Sequence, residues 1–69
     1  DSWVYARKYF DKVAIIFINN APKSQHFEIN LPSIMTNTIY QAVFQHAFTE
    51  VNGTINIDLP AYSAEILLN

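Results

Sequence analysis

Lys12-Val13-Ala14-Ile15-Ile16-Phe17-Ile18-Asn19 is the stretch whose reading decides the fold. Six apolar residues run unbroken from Val13 to Ile18, and most are β-branched or aromatic. A half-buried strand would alternate polar with apolar. Here Val13, Ile15 and Phe17 form one apolar face and Ala14, Ile16 and Ile18 the other, which predicts a central strand covered on both sides. A buried helix tolerates such a run too, but the β-branched content and the Asn19-Asn20-Ala21-Pro22 that stops it favour a strand.

Upstream, Trp3–Phe10 alternates, with Trp3, Tyr5, Arg7 and Tyr9 on one face and Val4, Ala6, Lys8 and Phe10 on the other. It reads as a first strand joined to the second by a tight hairpin at Asp11. Downstream, Asn19–Ser24 reads as a loop, since Pro22 lacks a donor and Asn accepts turn geometry. Gln25–Leu31 sets Phe27, Ile29 and Leu31 against His26, Glu28 and Asn30, an amphipathic strand ended by Pro32. Ser33–Asn37 reads as an irregular crossover, with one turn of helix as the alternative. Thr38–Phe44 reads as extended, with a helix over Tyr40–Phe48 as the rival, and Gln45–Phe48 as a continuation or bulge. Val51-Asn52-Gly53-Thr54 is the strongest turn signal and carries the only glycine. It precedes Thr54–Leu59, where Ile55, Ile57 and Leu59 alternate with Thr54, Asn56 and Asp58. After Pro60-Ala61, Tyr62–Leu68 closes the series. Strands at this spacing predict an all-β fold: an antiparallel, Greek-key-like β-sandwich of about six strands.

The 69 residues make one domain, and a chain this short buries only about 60% of its unfolded surface. There is no cysteine to staple it, yet 51% of the residues are hydrophobic and 14% aromatic. That excess is accounted for if one face packs on something outside the chain. The opening Asp-Ser-Trp, with neither an initiator Met nor a signal segment, fits the same expectation of a piece of a larger protein. No stretch approaches the roughly 20 apolar residues that span a bilayer. The formal net charge is −2, with four Lys and Arg in all. Nucleic-acid binding needs clustered cations, and Arg7, Lys8 and Lys12 stand around Asp11, which argues against that class of partner.

Two stretches together resemble the C-terminal β-domain, domain C, of the α-amylase family of glycoside hydrolases. Val4-Tyr5-Ala6-Arg7-Lys8-Tyr9-Phe10-Asp11-Lys12-Val13-Ala14-Ile15-Ile16-Phe17-Ile18-Asn19-Asn20 is similar to the family's opening hairpin, a strand ending near an Arg, a short turn, and an apolar strand finishing at Asn. Gly53-Thr54-Ile55-Asn56-Ile57-Asp58-Leu59-Pro60-Ala61-Tyr62-Ser63-Ala64-Glu65-Ile66-Leu67 resembles that domain's ending, a Gly-led strand reaching Leu-Pro, a Ser and a last apolar strand. The look is that of cyclomaltodextrinases, neopullulanases and maltogenic amylases. The resemblance implies residues 1–69 as a non-catalytic accessory domain. Its parent enzyme would cleave or transfer α-glucan on a separate (β/α)8 barrel that carries the catalytic carboxylates, and the domain would brace that barrel.

The residues themselves show no active site. Glycoside hydrolysis needs two carboxyl groups across a scissile bond, whereas Asp1, Asp11, Glu28, Glu50, Asp58 and Glu65 read as solvated surface. His26 and His46 lack metal-ligand spacing, and Ser2, Ser24, Ser33 and Ser63 lack a nucleophile-elbow context. They read as surface or edge residues, with no metal or cofactor implied. The aromatic stripe Trp3, Tyr5 and Tyr9 can stack on sugar rings, or pack on a neighbouring domain or in the sandwich core. Packing is the expectation. Contact with α-glucan, and a free-standing immunoglobulin-like interaction domain, are the alternatives. Asn52-Gly53-Thr54 also matches an N-glycosylation acceptor.

Overall fold

The computed structural model describes residues 2–32 and 39–69. Among them lie seven antiparallel strands and no helix: β1 (Ser2–Tyr9), β2 (Lys12–Asn19), β3 (Gln25–Asn30), β4 (Gln41–Ala42), β5 (Phe48–Val51), β6 (Thr54–Leu59) and β7 (Ser63–Leu68). They form a four-stranded sheet in the order β1-β2-β7-β4 and a three-stranded sheet in the order β3-β6-β5. The predicted all-β sandwich is the fold.

The apolar run of β2 takes the centre of the larger sheet, between β1 and β7. Val13, Ile15 and Phe17 point inward and are buried. They meet Phe27, Ile55, Ile57 and Leu59 from the smaller sheet, together with Leu67 and Tyr40. Phe17 and Phe27 bridge the two sheets edge to face, with centroids 5.7 Å apart, a geometry aromatic quadrupoles favour. The other face of β2 is only half-buried, so the expected double cover is present on one side within the described residues.

Local chemistry explains the hairpins. Tyr9 pairs with Lys12, leaving Phe10-Asp11 as a two-residue turn with Phe10 at φ 55°. Asn52 and Gly53 join β5 to β6 with φ of 52° and 84°, both positive as a type I′ turn requires. Pro60 ends β6, and Tyr62, at φ 53°, turns the chain into β7.

Three expectations are corrected. Of the predicted strand Thr38–Phe44, whose first residue lies outside the described residues, only Gln41–Ala42 is strand among the described ones, because the backbone beyond Val43 turns towards the Glu65 carboxylate in the interior instead of following the ladder. Phe48, expected in a continuation or bulge over Gln45–Phe48, and Val51, expected in the turn, are the two ends of a strand, Phe48–Val51, paired with β6. Glu65, expected on the solvated surface, is 0% exposed. The predicted crossover at Ser33–Asn37 lies outside the described residues.

Candidate functional site

Strand alternation and register determine which side chains share the outer face of the larger sheet. Trp3 stands opposite Ile18, Tyr5 opposite Ile16 and Arg7 opposite Ala14. Across β2, Ile18 faces Ala64, Ile16 faces Ile66 and Ala14 faces Leu68. Trp3 and Tyr5 are each 50% exposed, and Leu68 and Val43 are exposed beside them. Trp3 and Tyr5 of the predicted stripe are therefore brought together on an outer face, not in the sandwich core. Tyr9 ends the strand opposite Lys12.

Arg7 and Lys12 meet at one end of this face. With Lys8 they line a cleft of about 470 Å³ floored by Val13, Ala14 and Leu68. Three of the four Lys and Arg residues of the chain thus converge on one end of the sheet. Lys8 Nζ donates to the Phe10 carbonyl at 2.6 Å, across the hairpin. Among the described residues, the ion pairs are His26–Asp58 and His46–Glu65, so Arg7 and Lys12 take part in none.

The outer face of the smaller sheet has the opposite character. His26 and Glu28 on β3 alternate inward and outward with Phe27 and Ile29, and Asn56 and Asp58 on β6 do so with Ile55 and Ile57. His26 Nδ1 donates to Asp58 Oδ1 at 2.7 Å, and Nε2 lies 2.9 Å from Asn56 Oδ1. An imidazolium donates to both oxygens at once. The Asp58 hydrogen bond, helped by Asn56, raises the His26 pKa above its ordinary 6.5.

Two interior polar groups were not legible as a pair in the sequence. Asn19 is buried. Its Nδ2 donates to the carbonyls of Lys23, Leu59 and Pro60, and its Oδ1 accepts from Ala21 N–H at 3.0 Å. One side chain thereby ties the β2–β3 loop to the β6–β7 corner. Its parity with Val13, Ile15 and Phe17 was the available signal. Glu65 Oε1 accepts from His46 N–H at 2.8 Å and from His46 Nδ1 at 2.7 Å. Oε2 accepts from Phe44 N–H at 2.7 Å and Ile66 N–H at 3.0 Å. Burial pushes the Glu65 carboxyl up, but these donors outweigh it and hold its pKa below the usual 4.5. No spacing rule links Glu65 to residues 44–46, about twenty positions away, so only the tertiary contact reveals that clamp.

Among the described residues no helix is long and apolar enough to cross a membrane, and no three His, Cys, Asp or Glu side chains converge as a metal site. What the fold and its surfaces define is a small two-sheet β-sandwich with one apolar, cationic outer face and one polar, acidic one. Comparison with protein-family models, curated proteins and solved structures finds no match.

Proposed function

We propose that this chain is a non-catalytic accessory domain of an α-amylase-family α-glucan hydrolase, packing on its (β/α)8 catalytic barrel and stabilising it. The resemblance of the opening hairpin and the Leu59-Pro60 ending supplies the family. The observation that carries the docking role is the outer face of the larger sheet. Trp3, Tyr5, Ile16, Ile18, Ile66 and Leu68 occupy it side by side, with Trp3, Tyr5 and Leu68 exposed and the three isoleucines half-buried. A soluble surface rarely exposes an apolar patch of several hundred Å² unless it meets a partner.

Deleting this segment from the full-length polypeptide tests the role. The expected result is a lower thermal midpoint for the remaining enzyme and a loss of soluble material, with residual α-glucan hydrolysis by whatever folds. Unchanged folding and thermal stability would refute it.

The exposed rings of Trp3 and Tyr5 favour one second reading, that the Trp3, Tyr5 and Tyr9 stripe contacts α-glucan directly. Titrating the 69-residue chain with maltooligosaccharides while following tryptophan emission decides it. Emission that stays flat at millimolar sugar removes that reading.

A further inference from the structure

We propose that Asn52 is a site of covalent self-modification, its side chain closing onto the Gly53 amide nitrogen on the way to an isoaspartate, and that Glu50 holds this reaction in check.

Turn chemistry is the first argument. The two-residue link between β5 and β6 needs positive φ at both positions, and Asn52 and Gly53 supply it at 52° and 84°. The same dipeptide sets an exposed side-chain amide beside a backbone nitrogen that no following Cβ shields. Once deprotonated, the Gly53 nitrogen can attack Asn52 Cγ. A bond forms between the two atoms and the Cγ–Nδ2 bond breaks. Nδ2 leaves as ammonia, carrying the proton that Gly53 gave up, and a five-membered succinimide remains. Water then opens the ring. Its addition at Cγ gives an ordinary aspartate, and its addition at the main-chain carbonyl gives an isoaspartate, with one more methylene in the backbone. Either product adds a negative charge, and the second spoils the turn.

Glu50 is the second argument. It pairs with Ile55, which is fully buried, so alternation sets both on the core side of the smaller sheet. A half-buried carboxylate there needs a donor. The donor it takes is Gly53 N–H, at 3.2 Å. That proton is the one the reaction must remove. A carboxylate accepting it opposes its loss, because the amide anion so formed would stand against a second negative charge.

Rigidity acts in the same direction. Gly53 is buried, away from the hydroxide that would deprotonate it. Its carbonyl accepts from Leu31 N–H at 2.7 Å, so the residue is held at both of its polar groups and is not free to swing towards Asn52 Cγ. Glu50 is a positioning residue. The hairpin keeps the dipeptide its twist demands and suppresses the side reaction that comes with it.

Incubating the chain in heavy-oxygen water at neutral pH, with peptide mapping by electron-transfer mass spectrometry, tests the proposal. Heavy oxygen should enter at Asn52 ahead of the other asparagines, with isoaspartate among the products. Folded chain should react more slowly than chain unfolded in urea. Glu50→Gln keeps an acceptor and drops the charge, whereas Glu50→Ala drops both. Glu50→Ala should react about fivefold faster or more, the worth of one hydrogen bond of about 1 kcal/mol, with Glu50→Gln between it and the parent. In urea the three should share one rate, since Glu50 acts only through the folded turn. Each native rate is corrected for the unfolded fraction read from a urea titration, and the excess should survive. An excess that vanishes on correction makes Glu50 a matter of stability alone and overturns the proposal. Variants no faster than the parent also overturn it, as does aspartate without isoaspartate, which marks direct hydrolysis.

Discussion

Replacing Glu65 by Gln keeps the shape of the side chain and removes its charge, and the geometry sets the cost. The amide has one oxygen where the carboxylate has two. Its least costly placement keeps the oxygen at the Oε2 position, accepting from Phe44 and Ile66 N–H. The NH2 then faces His46, whose Nδ1 can accept from it in the neutral tautomer, but His46 N–H meets a donor. One buried N–H left unpaired costs about 1–3 kcal/mol, and the surviving bonds lose their charge-assisted strength, so the expected loss is about 3 kcal/mol. A core of this size rarely supplies more than about 3–5 kcal/mol, so the variant should stand near the edge of unfolding. Urea titration followed by far-ultraviolet circular dichroism measures it. With a slope of about 1 kcal/mol per M, the midpoint should fall by about 3 M, or the variant should be unfolded from the start.

The pH dependence checks the cause. Glu65 has its folded pKa below 4.5, so the unfolded state binds more protons in the window beneath that value. Its contribution is fully present above 4.5 and is lost as pH falls through the folded pKa. The gap between the parent and Glu65→Gln should be widest at neutral pH and shrink in acid. A midpoint shift under about 0.5 M at neutral pH, or a gap of constant size down to acid pH, would refute the clamp.

Asn19→Ala removes the four hydrogen bonds that tie the β2–β3 loop to the β6–β7 corner. The Leu59 carbonyl keeps its ladder partner Gln25 and the Pro60 carbonyl keeps Ser63 Oγ, so the loss falls on the corner tie itself, and about 1–3 kcal/mol in urea unfolding is expected; a loss below about 0.5 kcal/mol would show that water replaces these bonds. In an NMR titration His26 should titrate above 6.5, and Asp58→Asn should bring its midpoint down, because the Asp58 hydrogen bond is the leading cause of the shift. Its stabilising effect is present below the unfolded pKa and is lost as pH rises through the folded one. An unmoved midpoint in the variant would discard that pairing. Tyr62→Asn suits the left-handed turn better and should raise the thermal midpoint of the free chain, a gain of up to about 1 kcal/mol. A lowered midpoint would mean the Tyr62 ring packs within the chain.

The sequence by itself determined five of the strands, β1, β2, β3, β6 and β7, and the class of fold. An unbroken apolar run at Val13–Ile18, alternation in Gln25–Leu31 and Thr54–Leu59, and an Asn52-Gly53 turn are local signals. Side-chain period and turn chemistry act within a few residues of one another. The aromatic stripe of Trp3 and Tyr5 was legible for the same reason, since residues two apart on a strand share a face. Only the tertiary structure decided which face of each strand is inside. Register put Glu65 in the interior beside Leu67 and left Ala64, Ile66 and Leu68 outside. Phe44–His46 then abandon the ladder to supply that carboxylate with donors, which leaves Gln41–Ala42 as the strand among the described residues of the predicted Thr38–Phe44. The convergence of Arg7, Lys8 and Lys12 with Leu68 at one cleft is likewise a product of β7 returning beside β2. Pairings between residues far apart in the chain depend on loop closure and on the whole core, and no local pattern encodes them.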